Sequence, residues 1–365
     1  MSMIVNRRDV DFYLDEMFDL SGLLASKRYA DHDRDSITAI LDLAQQIAEE
    51  AFLPCAAELD DCEPVFEDGK AITPEVLKTC LETYVQAGLP TATFDAAQGG
   101  MQLPIVVANF MQGMFQAANA PAVGYVFLTQ SNAHMLQACG SKALCDRFLA
   151  PLIEGRWFGT MCLSEPHAGS SLSDIRCMAE PVGDGTYKLS GTKMWISGGE
   201  QDVSENIVHM VLARTPGAPP GVKGISLFLV PKIRVETNGA LGAPNHIALA
   251  GLNHKMGQRG TTNALLNFGE GGDCLGYLVG EENEGLKNMF HMMNEARIGV
   301  GMSATMSGLG GYLYSLDYAR NRPQGRHPGH KAPDSPMLPI IEHADIRRLL
   351  MEQKVAVEGS IALLT

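Results

Sequence analysis

A stretch rich in hydroxyl, glycine and proline residues is the first place in this chain where residue types and spacing could do chemistry. It runs from Cys162 to Ser171 and reads Cys-Leu-Ser-Glu-Pro-His-Ala-Gly-Ser-Ser. Serines donate and accept hydrogen bonds without bulk, and a glycine lets the backbone approach a flat polar ligand. An ordinary surface loop has the same composition, so this stretch taken alone is more simply interpreted as a loop.

Two further stretches combine a ring or a positive charge with hydroxyl groups. Lys193–Gly199 places Trp195, one of only two tryptophans, near Ser197 at the end of a predicted strand. An indole can cover one face of an aromatic cofactor while a serine reaches a ring nitrogen. Lys255–Thr262 contains Arg259 and two threonines, which could hold phosphate or flank a ligand. Taken singly, a core tryptophan before a turn and a solvated loop are the simpler interpretations.

Helices are predicted before these stretches. Apolar residues from Ile37 to Ala51 recur at helical spacing, and Asp35 or Ser36 is the predicted N-cap. Thr73 is predicted to cap a second helix, which begins with the proline after it and ends at Gly88.

Short runs rich in valine, isoleucine and threonine follow in the middle of the chain. Asp184-Gly185 is a hairpin signal between the runs Cys177–Val182 and Tyr187–Leu189. Further strands are predicted over three runs: Ile207–Ala213, Ile225–Val230 and Ala264–Phe268. This part of the chain is therefore predicted to be a β domain.

Helical spacing returns at Glu284, is interrupted by the Pro- and Gly-rich residues 322–338, and resumes near Asp345. The last helix keeps an apolar stripe up to Thr365 without a stop signal: Ile346, Leu349, Leu350, Val357, Ile361 and Leu364. We expect the chain to end inside an element, with this stripe left uncovered. The predicted fold is α+β, with a helical domain over 1–155, a β domain over 156–278 and the first part of a second helical domain over 279–365.

Composition and charge exclude several classes of protein. The net charge of -14 disfavours general binding to nucleic acid, although a local basic patch could hold a phosphorylated ligand. Eight cysteines occur without Cys-x-x-Cys or a His cluster at metal-ligand spacing, so reduced thiols and no metal site are expected. No stretch has the length of a membrane span, and the start lacks a signal-peptide core. A cytoplasmic protein is therefore expected.

Together and in this order, the three stretches resemble the acyl-CoA dehydrogenase family. Its hallmarks are a Ser/Thr-Glu-Pro-x-Ala-Gly-Ser loop, a Lys-x-Trp-Ile-Ser/Thr strand and a Met-Gly-Gln-Arg loop, and the resemblance covers nearly the whole chain. It implies a helical, a β and a four-helix carboxy-terminal domain, with FAD as the cofactor. Four segments look most like the longer members that act on 3-methylmercaptopropionyl-CoA: Arg28–Leu41, Ser204–Arg214, Gly221–Lys232 and Val279–Arg297.

The resemblance implies cofactor contacts for residues of the first two stretches. Leu163 and Ser164 would contact the flavin pyrimidine ring. Trp195 and Ser197 would lie along the flavin, with the serine near its reactive nitrogen.

Further roles are implied where the cofactor meets its neighbours. Gly169 and Ser170 would lie where flavin and thioester meet, and Ser170 would also contact the substrate. Arg322 resembles an arginine that reaches the FAD pyrophosphate of a neighbouring subunit, which implies a homodimer or homotetramer. Ser171 departs from the family pattern, which usually has aspartate there.

The implied reaction is dehydrogenation of an acyl-CoA thioester to the enoyl-CoA, with a carboxylate as the base. In most of the family that glutamate lies in the carboxy-terminal domain, so it is expected beyond Thr365. A minority carry it directly before an arginine that Arg297 matches, and here that position is Ala296. Glu295 is displaced from it by about 100° around the helix and is more simply a surface or capping carboxylate. Arg297 would brace the site and contact the substrate.

The electron acceptor is left open by the sequence. The resemblance implies an electron-transfer flavoprotein as the partner. One alternative is an acyl-CoA oxidase, which returns electrons to oxygen. Another is a flavin-binding, DNA-associated relative with little dehydrogenase activity, against which the net charge of -14 argues.

Overall fold

The computed structural model describes residues 2–329 and 332–365. Helices occupy both ends of the chain and strands occupy its middle. The described residues form nine α-helices: α1 Arg7–Phe12, α2 Leu20–Leu24, α3 Arg34–Ile47, α4 Ala56–Asp61, α5 Glu75–Gln86, α6 Ile105–Cys139, α7 Lys142–Ile153, α8 Gly285–Asn321 and α9 Ala344–Leu364. Within these residues, none of the helices has the length and apolar character to cross a membrane.

The strands build one large sheet and two small ones. Those in the described residues are β1 Val65–Glu67, β2 Lys70–Ile72, β3 Trp157–Cys162, β4 Met178–Gly183, β5 Thr186–Ser197, β6 Asn206–Ala213, β7 Ser226–Pro231, β8 Ile233–Val235, β9 Leu241–Pro244, β10 Ile247–Leu252, β11 Asn263–Phe268 and β12 Cys274–Leu278. The large sheet has the order β10-β11-β5-β12-β7-β6-β3, and β4 pairs with β5. Its strands are antiparallel except that β3 runs parallel to β6.

The predicted α+β class and the order of helices, strands and helices are confirmed. Asp184 and Gly185 join β4 to β5 with φ angles of 54° and 71°, the left-handed conformation that a tight hairpin turn requires. The three further predicted runs coincide with β6, β7 and β11 to within one residue. β5 continues beyond Leu189 as far as Ser197, so the tryptophan stretch lies at the end of a strand, as predicted.

The predicted N-cap of α3 is wrong by two or three residues. Asp33 is the cap, because its Oδ1 atom accepts from the Ser36 N–H at 2.7 Å and its own N–H donates to the Ser36 hydroxyl at 2.9 Å. This reciprocal pair satisfies two backbone donors at once. Ser36 is therefore the third residue of the helix, and Asp35 lies in its first turn.

The predicted capping role of Thr73 is also wrong. Its hydroxyl donates to Asp202 Oδ1 at 2.6 Å, and Pro74 occupies the cap position before α5. The predicted end of this helix is confirmed, because Gly88 follows it with φ 73° and donates its N–H to Val85 O at 2.9 Å.

The chain forms two compact units, each assembled from separate segments. The first unit contains Met1–Glu49, Leu103–Ala118 and Ile298–Thr365, and the second contains Glu50–Gln102 and Asn119–Arg297. The division into three domains at residues 155/156 and 278/279 stays a prediction.

In the first unit, α9 buries part of its apolar stripe. Leu350, Val357 and Ile361 are at most 9% exposed, whereas Leu349 is 41% exposed. The hydroxyl of Tyr13 donates to the Glu358 carbonyl at 2.9 Å and fixes α9 against the amino-terminal segment. The expectation that the stripe lies uncovered is therefore wrong for its three buried residues.

In the second unit, strands β6 and β7 of the large sheet are buried on both faces. Val208, Met210 and Leu212 of β6 lie on one face of the sheet and pack with residues of α6 and α7. Val211 and Ala213 lie on the opposite face. This alternation follows from the two-residue period of a strand. A sheet fixed in this way gives defined positions to β3, β5 and β11, the strands that contain or adjoin the three candidate stretches.

Candidate active site

The first candidate stretch begins where β3 ends at Cys162. Glu165 and Ala168 exchange two backbone hydrogen bonds, of 2.8 and 3.0 Å, and so close a tight turn. The two residues between them are exposed, whereas Leu163 and Ser164 are half-buried. The backbone of the stretch therefore has a defined shape next to the strand.

A buried ion pair joins this stretch to the second. Lys193 Nζ lies 2.9 Å from Glu165 Oε1 and donates to the Leu163 carbonyl, also at 2.9 Å. Both charged side chains are at most 3% exposed. The carboxylate also accepts the backbone N–H groups of Arg176 and Cys177 at 2.7 and 3.0 Å, so its hydrogen-bonding capacity is used.

The electrostatics of Glu165 make it a structural anion. Burial acts to raise the pKa of its carboxyl group, but the charge of Lys193 and the two N–H donors outweigh burial and leave that pKa below its ordinary value. The group is therefore ionised at neutral pH and unsuited to proton transfer. With the hydrogen bond from Met194 N–H to the Ser164 carbonyl at 3.0 Å, the pair holds the first stretch against β5.

Trp195 lies at an irregularity in β5. Ala264 pairs with Ile196 and Leu266 pairs with Lys193, so two residues of β5 lie opposite one residue of β11. Trp195 has φ 65°, a conformation in which a bulky residue is an outlier. The extra residue lets Lys193 and Ile196 both be buried while the indole is 56% exposed.

Ser197 follows on the same side of the strand as Trp195, because the buried Ile196 between them faces the other side. It pairs directly with Asn263 of β11. The next backbone N–H, of Gly198, donates to the Thr262 carbonyl at 3.0 Å. The third candidate stretch therefore ends beside the serine of the second.

Tyr125 of α6 holds the third stretch in place through hydrogen bonds. Its hydroxyl accepts the Thr262 N–H at 2.8 Å and donates to the Gly260 carbonyl at 3.3 Å. Burial raises its pKa to about 12, so the phenol stays protonated. Thr261 adds a hydrogen bond of 2.7 Å from its hydroxyl to the Pro121 carbonyl, so both threonine positions are held by α6.

Arg259 forms an ion pair with a carboxylate, and the expectation that this stretch holds phosphate or flanks a ligand stays a prediction. Its Nε donates to Glu63 Oε1 at 2.7 Å, and His254 Nδ1 lies 2.6 Å from Glu63 Oε2. These three residues and Thr261 line a cleft of about 180 Å³. Lys255 is held inside the loop by the carbonyls of Gln258 and Thr261, and burial lowers its pKa to about 8.

The end of the first stretch is open. Gly169, Ser170 and Ser171 are exposed, and a Cβ atom at Gly169 would meet nothing within 4 Å. The carbonyl of Ser171 accepts the Asp174 N–H at 3.0 Å in a short 3₁₀ turn. The departure from the family's aspartate therefore occurs at an exposed position, where a serine is accommodated without a buried partner.

Glu295 contacts another helix of the second unit, whereas, among the described residues, Arg297 does not. The Glu295 carboxylate lies 3.1 Å from His134 Nδ1, and His134 Nε2 lies 3.0 Å from the Thr93 hydroxyl. Arg297 is exposed, hydrogen-bonds Asn294 and lies 5.5 Å from the centre of the Phe290 ring. Both contacts of Arg297 are with its own helix.

Arg322 belongs to the first unit, directly after α8. It is exposed, its N–H donates to the Tyr318 carbonyl at 2.9 Å, and its carbonyl accepts the Ile340 N–H at 2.8 Å. The backbone at this position is fixed while the guanidinium is accessible.

Comparisons with known proteins agree with this geometry. Residues 160–269 match the family model described as "Acyl-CoA dehydrogenase, middle domain". The 3-methylmercaptopropionyl-CoA dehydrogenase of Ruegeria pomeroyi is 39% identical over 98% of this chain, and a butyryl-CoA dehydrogenase of Syntrophomonas wolfei is 36% identical over 98%. The chain is thus similar to members of the acyl-CoA dehydrogenase family over nearly its whole length. It spans 60% of the length of each of these two relatives.

A solved structure shows the same fold. The butyryl-CoA dehydrogenase of Megasphaera elsdenii aligns with 91% of this chain and 78% of its own, with a TM-score of 0.72 at 21% identity. The family resemblance predicted from the three stretches is thus confirmed, and so is the fold that it implied.

Three residues that position the site were not singled out from the sequence. Glu165 and Lys193 lie inside the quoted motifs, but the sequence gives no sign that they bind each other. Tyr125, the anchor of the third stretch, carries no motif at all. The sequence signal that could have indicated the Glu165–Lys193 pair is the presence of one acidic and one basic residue inside motifs that are otherwise apolar and small. Charges that become buried are usually paired.

Proposed function

We propose that the protein catalyses the FAD-dependent α,β-dehydrogenation of an acyl-CoA thioester and passes the electrons to an electron-transfer flavoprotein. The observation that carries this proposal is the assembly of the three family stretches around one exposed indole. Trp195 lies on β5, and Lys193 of the same strand holds the loop Leu163–Ser171 through its ion pair with Glu165. The Thr262 carbonyl accepts the N–H of Gly198, the residue after Ser197.

Two observations indicate that the residues present could bind FAD. The Trp195 indole is 56% exposed at a strained backbone position, which is the arrangement expected of a side chain held out for a flat ring. Leu163 and Ser164 are only half-buried on the adjoining strand end. When bound, FAD would accept the hydride from the β-carbon of the substrate.

The chain's own residues would orient the reactants. Trp195 would pack along the flavin, the Ser197 hydroxyl would hydrogen-bond a ring nitrogen, and Leu163 and Ser164 would contact the pyrimidine edge. The open backbone at Gly169–Ser170 would admit the thioester, and hydrogen bonds to its carbonyl would stabilise the developing enolate. Arg297 would contact the substrate or brace the helix that carries it.

The catalytic base is not assigned to Glu295. Its carboxylate lies against His134, and the position next to Arg297 that carries the base in a minority of the family is Ala296. We propose instead that the base is a glutamate outside the residues described, in keeping with the majority of the family.

The proposed partners follow from the same family. Arg322 would reach the FAD pyrophosphate of a neighbouring subunit in a homodimer or homotetramer, and the reaction would take place in the cytoplasm. Short unbranched thioesters are the proposed substrates, since the two relatives are named for 3-methylmercaptopropionyl-CoA and butyryl-CoA.

A steady-state assay tests the substrate class and the acceptor. The full gene product would be purified with FAD and supplied with acyl-CoA thioesters of graded length and branching, with a dye as electron acceptor. Dye reduction with short unbranched thioesters and negligible oxygen uptake would support the proposal. Rapid oxygen uptake with the same thioesters would contradict the proposed dehydrogenase activity and indicate an acyl-CoA oxidase.

A further inference from the structure

The guanidinium of Arg214 binds four backbone carbonyls in the second unit. Arg214 is half-buried and follows β6 directly. Its Nε donates to the Ile175 carbonyl at 3.1 Å, and its Nη2 donates to the Ser173 carbonyl at 2.7 Å. Its Nη1 donates to the Pro219 carbonyl at 3.0 Å, and its Nη2 also donates to the Gly221 carbonyl at 2.7 Å. Two acceptors therefore come from the segment after the serine-rich stretch, and two come from the loop between β6 and β7.

The surroundings of this side chain fix its position. A Cβ atom at Gly224 would lie 1.8 Å from the Pro219 carbonyl oxygen and 2.8 Å from Arg214 Nη1, so the loop fits around the guanidinium only with a glycine there. The Arg214 N–H donates to the Cys177 carbonyl at 2.9 Å, and the Arg214 carbonyl accepts the Ala179 N–H at 2.8 Å. Backbone and side chain of this arginine are thus both held against the segment 173–179.

Opposite charges hold the two kinds of peptide group in the segment 173–177. The Arg214 cation takes two of its carbonyls, and the buried Glu165 carboxylate accepts the N–H groups of Arg176 and Cys177 at 2.7 and 3.0 Å. Hydrogen bonds to an ionised group are stronger than those between neutral groups. The position of this segment therefore depends on one cation and one anion, and removal of the cation frees its amino-terminal half.

The restraint continues to the exposed part of the serine-rich stretch. The Asp174 N–H donates to the Ser171 carbonyl at 3.0 Å, and His167 Nε2 lies 3.1 Å from the Asp174 carbonyl oxygen. The exposed backbone at Gly169–Ser170 lies between these two contacts in the sequence. Its conformation is therefore set by the turn that Arg214 holds.

We propose that Arg214 is a positioning residue for the dehydrogenation, which holds the Gly169–Ser170 backbone in place for the thioester. The inference rests on the proposed function, because it requires the thioester to bind at this backbone. Arg214 acts through the short turn that contains Ser173 and touches neither reactant. Misplacement of reacting groups by about 1 Å can lower a rate roughly 10²-fold, so loss of this restraint should slow the reaction.

Three variants separate this role from a general effect of removing an arginine. Arg214→Met keeps the apolar stem and removes every donor. Arg214→Lys keeps the charge but concentrates its donors on one nitrogen, which suits carbonyls of two segments less well. Arg348→Met is the matched control, because Arg348 is exposed and binds Asp345 and Glu352 of its own helix.

Hydrogen–deuterium exchange of the folded full gene product measures the restraint without any reaction. In Arg214→Met, amides within residues 167–177 should exchange at least about tenfold faster than in the wild type, because bonds to a charged donor are lost. Amides within residues 255–262, which Tyr125 holds, should exchange at the wild-type rate. Unchanged exchange over residues 167–177 would overturn the proposal.

Rapid-mixing kinetics with the FAD-loaded protein and saturating butyryl-CoA measure the consequence. We expect flavin reduction to slow at least about tenfold in Arg214→Met, with FAD retention within about twofold of wild type, and to be unchanged in Arg348→Met. Arg214→Lys decides the matter where Arg214→Met does not fold, since its rate should be at least about threefold below wild type.

The outcomes distinguish this inference from the proposed function. Equal flavin-reduction rates in an active wild type and in the Arg214 variants overturn the positioning role alone. A loss of FAD retention as large as the loss of rate also overturns it, because Arg214 would then only support the fold. A wild type whose bound flavin is reduced by no thioester overturns the proposed function and this role together.

Discussion

Lys193 and Glu165 form a buried ion pair with 2.9 Å between Nζ and Oε1, although they are 28 positions apart in the sequence. One belongs to the tryptophan stretch and the other to the serine-rich stretch. The pair therefore fixes the relation between the two parts of the chain that the proposed function requires to be adjacent.

Replacement of Lys193 by methionine tests how much this ion pair contributes to the free energy of unfolding. The change leaves the Glu165 charge buried without its partner, and removal of one partner of a buried pair typically costs about 3–5 kcal/mol of unfolding free energy. We expect a loss of that size in urea denaturation, with loss of flavin retention. The pair Lys142–Asp146 supplies the control, since Lys142→Met removes an ion pair whose side chains are 87% and 60% exposed. That control should change the unfolding free energy by less than about 1 kcal/mol.

Trp195→Ala and Ser197→Ala should each weaken flavin retention about fivefold or more, because stacking on an indole and a hydrogen bond to a ring nitrogen are each worth about 1 kcal/mol or more. Ser171→Asp restores the residue usual in the family at an exposed position and should leave retention nearly unchanged. Equilibrium dialysis against FAD measures all three. Equal effects from the three variants would mean that the assigned roles are misplaced.

His209 should make stability depend on pH. It is fully buried, its Nδ1 lies 2.7 Å from the Thr160 hydroxyl, and burial, with the charge of Lys232, lowers its pKa from 6.5 to about 3. The unfolded chain therefore binds a proton that the folded chain rejects. Stability is unaffected above about pH 6.5 and falls as the pH drops from there toward 3, by about 1.4 kcal/mol per pH unit where the proton uptake differs by one.

The comparison of wild type with His209→Gln isolates this contribution from other titrating groups. Unfolding free energies measured between pH 4 and pH 7 should fall less steeply in the variant. His291→Gln, at an exposed position, should keep the wild-type slope. Identical slopes in wild type and His209→Gln would show that this histidine is protonated in the folded protein.

Glu295→Gln tests whether the base lies elsewhere. The glutamine keeps the size of the side chain and a hydrogen-bonding contact with His134, so we expect thioester-dependent dye reduction within about threefold of wild type, whereas loss of a catalytic base typically costs 10²–10⁴-fold. A loss in that larger range, with folding and flavin retention intact, would make Glu295 the base.

The fold class and most strands were predictable because periodicity and turn residues are local signals. Asp184-Gly185 specifies its hairpin directly, and the strand runs carry their own patterning. The helix starts were harder, because Asp33 caps α3 through Ser36 and Thr73 is bound by Asp202, a residue far along the chain. Partners from distant segments decide such details, and single-sequence patterns do not contain them.

The same limit applies to the candidate site. The three motifs could be recognised, but the conformation that exposes Trp195 depends on an extra residue in the pairing of β5 with β11. The ion pair of Arg259 with Glu63 was not predicted, because its partner comes from a distant segment of the chain. The stripe on α9 was read correctly as apolar, but its burial depends on the amino-terminal segment that carries Tyr13.

An anaerobic titration of the flavin tests the central claim most directly. The full gene product, loaded with FAD, would be mixed with butyryl-CoA or 3-methylmercaptopropionyl-CoA in the absence of any electron acceptor, while the visible flavin absorption is recorded. The proposed function predicts that the absorption bleaches in proportion to added thioester and recovers when an electron-transfer flavoprotein is supplied. A protein that retains FAD but whose absorption is unchanged by every thioester tested would contradict it.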